Sequence, residues 1–177
     1  MPPLNVVSWR IAVFVLLLTL TFSGYSKGQS TADTSVLPLA PVWSLYNEAG
    51  TEVQSSEFAG KPLILHFWAT WCPYCKKLQP GLDKLYRKYR AQGLQMIAVS
   101  IMEEEGAAPQ AELDSRKMSF NTLIKGEKMA QLFYVQGTPT TIFINSQGQV
   151  VASTRLSDPD DPRLEKVVKS LLTEYAL

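Results

Sequence analysis

The stretch Leu63-Ile64-Leu65-His66-Phe67-Trp68-Ala69-Thr70-Trp71-Cys72-Pro73-Tyr74-Cys75 decides how the chain is read. Its first seven residues are apolar except for His66, the pattern of a strand buried on both faces, where alternation is lost because neither face meets water. From the cysteines onward the period changes. Leu78, Leu82, Leu85, Tyr86 and Tyr89 recur at helical spacing, and Gly93 supplies a residue that ends a helix without steric cost. A cysteine pair at this strand-to-helix junction has a physical use. The N–H groups of a first helical turn and the helix dipole favour negative charge, so a Cys72 thiol placed there ionises more readily. Such sites bring a cysteine pKa from about 8.5 into a range of roughly 3.5–7.5. A shift to about 7 raises the thiolate fraction at pH 7 from about 3% to about half. Cys75, one turn further in, is expected to stay shielded and protonated until needed. Cys72 would then attack a substrate disulfide and Cys75 would resolve the mixed disulfide, the reverse sequence oxidising a dithiol.

The chain of 177 residues holds only these two cysteines and one histidine. A disulfide across four residues closes almost no loop, so chain entropy gives it about 2 kcal/mol before strain is subtracted, whereas stabilising bridges in exported domains normally link distant segments. The pair is poorly placed as a staple and well placed as a reactive couple. A structural zinc needs four ligands drawn mainly from Cys and His, more than this chain offers, so no metal site and no cofactor are expected.

Outward from this stretch, Leu94 to Ile101 is a second buried run, and strand, helix, strand within about forty residues implies a parallel pair with a right-handed crossover. Before it, two short extended runs between Val42 and Val53 flank Asn47-Glu48-Ala49-Gly50 as a β-hairpin, and Ser55 or Ser56 caps a helical turn through Phe58 that Gly60 ends. After it come a polar helix over roughly Ala108 to Lys117 and a short helix near Glu127 to Tyr134. A hairpin of Thr140–Asn145 and Gln149–Ser153 then turns at Ser146-Gln147-Gly148. Asp161 caps the last helix, with Pro162 at its first position, where the missing N–H costs nothing. Gly137-Thr138-Pro139-Thr140 is the second element of interest. A proline directly before a buried strand marks a fixed turn, with a cis bond as one option; alone it is a strand-entry turn, and beside a reactive cysteine pair it becomes part of a site.

The N-terminus has a different character. Arg10 is followed by Ile11 to Phe22 without a charge, then by the small residues Ser23, Gly24 and Ser26, the layout of a secretory signal. The apolar run is shorter than the roughly 20 residues of a comfortable membrane span, and Gly24 and Ser26 fit a cleavage site. An uncleaved membrane anchor, lengthened by Val6, Val7 and Trp9, is the alternative. Residues 1–26 are thus read as signal peptide or membrane anchor, 27–37 as a flexible linker and 38–177 as the folded domain, placed in the periplasm or another extracytoplasmic space. With 17 basic and 16 acidic residues the formal charge is +1, so a nucleic-acid partner would need a localised basic patch. The densest basic run, Lys76 to Arg90, lies on a helix that also carries an apolar stripe and reads as a solvated face.

Phe67 to Cys75, Pro80 five residues beyond, and Gly137-Thr138-Pro139-Thr140-Thr141-Ile142-Phe143-Ile144-Asn145 resemble the thioredoxin superfamily. The similarity is to its TlpA/ResA-like branch of exported thiol-disulfide oxidoreductases and covers roughly residues 38 to 175. The resemblance implies an α/β thioredoxin-like fold, with a central mixed sheet of four or five strands flanked by helices and an N-terminal β-hairpin. It also implies a cis Pro139 facing the cysteines, Thr138 backbone groups that pair with a substrate strand, Trp71 on an apolar rim and a helix kinked at Pro80. The partners implied are protein disulfides or dithiols and a membrane electron donor that keeps the pair reduced.

Two departures stand out: Leu78 occupies a position where many ResA-like proteins have a glutamate thought to tune proton transfer, and His66 stands where thioredoxins bury an aspartate. His66 is a candidate for proton exchange with Cys75, since an imidazole titrates near working pH; the competing reading is a buried histidine satisfied by its neighbours. Glu103, Glu104 and Glu105 read as a solvated loop, or as a group that raises the Cys72 pKa or selects a basic partner. A disulfide-forming oxidant would carry a large helical insertion for which Met102 to Gly137 is short. A glutaredoxin would carry a glycine pair that is missing. A redox-sensing peptide-binding module without turnover is the alternative from another class.

Overall fold

The computed structural model describes residues 37–175. The proposed leader, 1–26, and residues 27–36 of the proposed linker lie outside them. The leading run forms β3 (Leu63–Trp68), with all six residues buried. It is the middle of a five-stranded sheet that also contains β4 (Gln95–Ser100), β5 (Thr122–Leu123), β6 (Thr140–Ile144) and β7 (Val150–Thr154), in the order β5-β4-β3-β6-β7. β4 runs parallel to β3, from Leu63↔Gln95 to Trp68↔Ser100, while β6 is antiparallel to it, from Leu63↔Ile144 to Phe67↔Thr140. β1 (Ser44–Tyr46) and β2 (Glu52–Gln54) pair as a separate hairpin. The sheet is therefore mixed, and the ends of β3 and β4 share one edge with the starts of β6 and of the residues that follow β7.

Period-two alternation divides β3 between two cores. Ile64 and Trp68 pack with Leu78, Leu82, Leu85 and Tyr89 of α1 (Pro73–Tyr89) and with Leu164, Val168 and Leu171 of α4 (Pro162–Tyr175). Leu65 and Phe67 pack on the other face with Ile97, Val99, Ile142, Trp43 and Met129. Burial of these side chains contributes about 1.5–3 kcal/mol each. α1 passes into a 3-10 turn, Arg90–Gln92, and stops at Gly93, whose φ of 96° is in the left-handed region. At the start of α4, Asp161 Oδ1 accepts the Arg163 N–H at 2.9 Å. Gly81 of α1 lets the helix reach the loop before α4: a Cβ there would stand 2.2 Å from the Pro159 carbonyl oxygen.

Three details differ from the sequence expectations. The turn after β2 covers Ser55–Phe58, but its cap is Gln54, whose N–H donates to Glu57 at 2.8 Å, while the Ser55 hydroxyl accepts from the Trp43 N–H at 3.3 Å. The polar helix and the short helix are α2 (Pro109–Ser115) and α3 (Glu127–Leu132), each shorter than its pattern. Between them lies β5, a strand too short to show any period. It is held by tertiary hydrogen bonds, the Thr122 N–H donating to Gln110 at 2.9 Å and Trp68 Nε1 donating to the Thr122 hydroxyl at 3.0 Å.

Candidate active site

Cys72 and Cys75 are joined by a disulfide, their Cα atoms 5.3 Å apart. Cys72 is the cap residue of α1, with φ −81° and ψ 106°, and its sulfur accepts the Cys75 N–H at 3.1 Å. One of the orphan donors that every helix start exposes is thus aimed at this sulfur, with the positive end of the α1 dipole behind it. Cys72 retains 2% exposure and Cys75 none. Both are covered far more than the expected contrast between an open and a shielded sulfur, but the slight access that remains belongs to Cys72. Trp71 directly before the pair and Tyr74 between its two cysteines are 50% and 63% exposed.

The loop after β4 is tied to this turn. Glu103 accepts the Thr70 N–H at 2.9 Å, the Thr70 hydroxyl at 2.5 Å and the Ser100 hydroxyl at 2.5 Å. Glu103 is therefore an anchor of the residues that lead into Cys72, not a member of a solvated loop; its neighbours Glu104 and Glu105 are exposed as expected. Beside it, Trp71 Nε1 donates to the Met102 carbonyl at 2.7 Å, and the Met102 N–H donates to Glu127 at 2.9 Å. Met102 has φ 55°, uncommon for a residue with a side chain, and this turn is what delivers both groups.

Pro80 lies inside α1, which continues through it. Because proline lacks an N–H, the Lys76 carbonyl has no partner one turn on. Arg116, just after α2, supplies one: its Nη2 donates to the Lys76 carbonyl at 2.6 Å and its Nη1 to the Gln79 side chain. The residue that follows Cys75 is thus held from outside the helix. Neither Arg116 nor the tie of Glu103 to Thr70 has a spacing signal in the sequence, since these bonds span more than thirty residues.

The Thr138–Pro139 peptide bond is cis. Pro139 is buried and Thr138 half-buried, and the Thr140 hydroxyl donates to the Gly137 carbonyl at 2.6 Å. Register places this turn at the edge where β3 ends, since Phe67 pairs with Thr140. His66 lies one pair further in, opposite Thr141, wholly buried; its Nδ1 is 3.1 Å from the Thr141 hydroxyl and its Nε2 has no hydrogen-bond partner among the described residues. Burial, assisted by the charge of Arg116, pushes the imidazole down to about 3. The expectation that it titrates near working pH is corrected: His66 is neutral there, because this site offers a cation no solvent and no counter-charge. Among the described residues no group of three or more Cys, His, Asp or Glu side chains is arranged to hold a metal ion.

A central mixed sheet, a helix capped by one cysteine of a bonded pair and a cis-proline turn at the same edge define an oxidoreductase of thioredoxin-like fold. Comparison with known proteins agrees. Residues 37–153 match the AhpC/TSA family profile, and the chain belongs to that family. It is 37% identical over 103 residues to thiol-disulfide oxidoreductase ResA of Halalkalibacterium halodurans, an alignment spanning 58% of each chain. With the ResA of Bacillus cereus strain ZK it shares 30% identity over 144 residues, 78% of this chain and 83% of the relative. Among solved structures, a proposed thiol:disulfide interchange protein DsbE from Chlorobium tepidum superposes with a TM-score of 0.69 at 27% identity, covering 77% of this chain and 96% of that one. Leu78, at the position of the absent glutamate, is fully buried in the core.

Proposed function

We propose that the protein is an exported protein-disulfide reductase in which Cys72 is the nucleophile and Cys75 the resolving thiol. The observation that carries this is the Cys75 N–H directed at the Cys72 sulfur at the start of α1. In the dithiol form the same donor and the helix dipole favour a Cys72 thiolate. That thiolate attacks one sulfur of a substrate disulfide, and the other sulfur leaves as a thiolate that takes up a proton. Cys75 gives up its proton and attacks Cys72, expelling the second substrate sulfur. Two electrons pass to the substrate, and the enzyme is left as the bonded pair. A dithiol donor of the membrane returns the two electrons by the reverse exchange.

In this reading Trp71 forms the apolar rim of the substrate groove, and Thr138 and Pro139 form its floor, the Thr138 backbone pairing with an extended substrate segment. Residues 1–26 act as signal peptide or anchor and 27–37 as the tether, so the domain works outside the cytoplasm. His66 is the candidate acceptor for the Cys75 proton. A thiolate nearby raises an imidazole pKa, so an acceptor that is weak in the oxidised protein gains strength in the reduced one.

Direction and turnover are tested together. A reduction potential near about −270 mV supports a reductase and one near about −120 mV an oxidant. Many cycles of insulin reduction with an added donor would exclude a redox sensor without turnover. If His66→Asn leaves the pH–rate profile of disulfide reduction unmoved, His66 takes no part in proton transfer.

A further inference from the structure

The residue that follows β7 is an arginine for which neither the cysteine chemistry nor the fold has a use. Arg155 is exposed, and among the described residues it has no hydrogen bond and no ion pair. Other cations of this side of the domain differ. Arg163 is bound to Asp161 at 2.6 Å, and Lys88 and Lys169 both lie on Glu165, at 2.7 and 3.6 Å. The position of Arg155 is set by register. Thr141 of β6 pairs with Thr154 of β7, so Arg155 emerges at the sheet edge occupied by the Gly137-Thr138-Pro139 turn. Its guanidinium rests against Gly137: a Cβ at that position would lie 3.1 Å from Nη2 and 3.8 Å from Cζ. The missing side chain at 137 is what admits the cation to the turn. From there Arg155 also lines a cleft of about 600 Å³ between β7 and α4, which also holds the Asp161-bound Arg163 and Lys166, a cation without an ion pair among the described residues, while Leu156 and Val167 supply apolar wall.

The opposite flank of the same edge has the opposite sign. Glu104 and Glu105, after β4, are exposed and make no ion pair among the described residues, and with Glu48, Glu127 and one cation, Lys125, they line a separate cleft of about 500 Å³. On the two flanks of the cysteines, the charged side chains without an ion pair among the described residues thus include Glu104 and Glu105 after β4 and Arg155 after β7.

We propose that Arg155 is a specificity residue, which selects protein disulfides carrying a carboxylate in the segment laid along the Gly137–Pro139 turn. The proposal rests on that turn being the substrate groove. An unpaired guanidinium presents a planar fork suited to a carboxylate. An exposed pair of this kind changes an interaction by roughly two- to fivefold at low salt, and charge across an interface acts on specificity and encounter rate more than on raw affinity. A partner segment with an acidic residue facing Arg155 and a basic residue facing Glu104 and Glu105 matches both flanks.

The test uses the purified, pre-reduced protein in single turnover with synthetic disulfide peptides that differ at one position, Glu, Gln or Lys, stepped along both sides of the attacked cysteine. At the position facing Arg155, the Glu peptide is expected to react about two- to fivefold faster than the Gln peptide and the Lys peptide more slowly than either, with the preference shrinking in high salt. The ratio is taken within each variant, so any change in thiol reactivity cancels. Arg155→Gln should bring it to about one, Arg155→Glu should invert it and Arg155→Lys should keep most of it. Equal rates for all three peptides at every position, or a ratio unchanged in Arg155→Glu, would overturn the proposal.

Amide exchange of the Cys75→Ser mixed disulfide with the Glu peptide separates this failure from that of the groove. Protection at the Gly137 and Thr138 amides with no charge preference removes Arg155 alone. No protection there removes the groove and this proposal with it.

Discussion

The two flanks of the cysteine pair are built differently. On the β4 side, Glu103 binds Thr70 and Ser100, Met102 receives Trp71, and Glu127 holds Met102. On the β6–β7 side, the proline turn has the internal side-chain bond of Thr140 to Gly137, and its adjacent cation makes no hydrogen bond or ion pair among the described residues. Buried or half-buried polar groups that find partners rigidify what they join, whereas groups left open are available to a ligand. The first flank fixes where Cys72 stands, and the second is left to meet another chain. The comparison predicts that substitutions on the β4 side act on stability and on the cysteines together, while substitutions beside β7 act on partner choice alone.

The largest effect is expected at the sulfurs, where the two flanks meet. Cys72→Ser should abolish turnover and trap nothing, while Cys75→Ser should accumulate mixed disulfides, visible on non-reducing gels, because the resolving attack is missing. Mixed disulfides on Cys72→Ser instead would exchange the roles assigned above.

Next in size is the acid response of the core behind the pair. His66 has a folded-state pKa near 3, below the 6.5 of an exposed imidazole. The unfolded chain therefore binds the extra proton first, and stability is complete above pH 6.5 and lost as pH falls toward the folded value. Between pH 6.5 and about 4 the loss approaches roughly 3 kcal/mol. Urea midpoints measured across that range should fall steeply in the wild type and less in His66→Gln. Parallel curves would mean that His66 is not the group responsible. Arg116→Met should raise the His66 pKa, since the guanidinium contributes to lowering it, and an NMR titration of this single histidine reads the direction.

Glu103→Ala should cost about 1–3 kcal/mol, because it strands the Thr70 N–H and two hydroxyls that are partly removed from water. It should also slow disulfide exchange about tenfold by loosening the approach to Cys72. By contrast Arg155→Gln should shift stability by no more than about 0.5 kcal/mol, as surface substitutions do. Should the two variants lose the same stability, the distinction between a fixed flank and an open one fails.

What was legible in the sequence follows the same division. β3, the start of α1 and the proline turn announce themselves because burial, period and punctuation are local properties of a few residues. The strand β5 did not, since two residues carry no period and Thr122 is held by Gln110 and Trp68 from elsewhere. Glu103 was hidden among three glutamates, and only the parallel pairing that brings Ser100 opposite Trp68 shows which of them turns inward. Arg116 answers a gap that Pro80 opens thirty-six residues earlier, and no rule of spacing connects a missing N–H to the side chain that replaces it. His66 was visible as a position, but its charge state depends on how completely the sheet and α1 cover it.

Trp71 offers the finest test, because it belongs to both flanks: its indole N–H is bound to the β4-side loop while half of its surface faces solvent. Trp71→Phe keeps an aromatic surface, though a smaller one, and removes the donor. If the bond to Met102 is what orients the ring, the variant should lose about 0.5–1.5 kcal/mol of stability, the net value of one hydrogen bond. It should also show faster amide exchange at Met102 and Glu103. Trp71→Leu, which lacks the flat ring as well, should in addition weaken capture of apolar disulfide peptides while leaving the Glu-to-Lys rate ratio intact. A Trp71→Phe protein as stable as the wild type, with the 101–106 loop equally protected, would place the ring with the open flank and leave Glu103 as the principal tie between the loop and the cysteines.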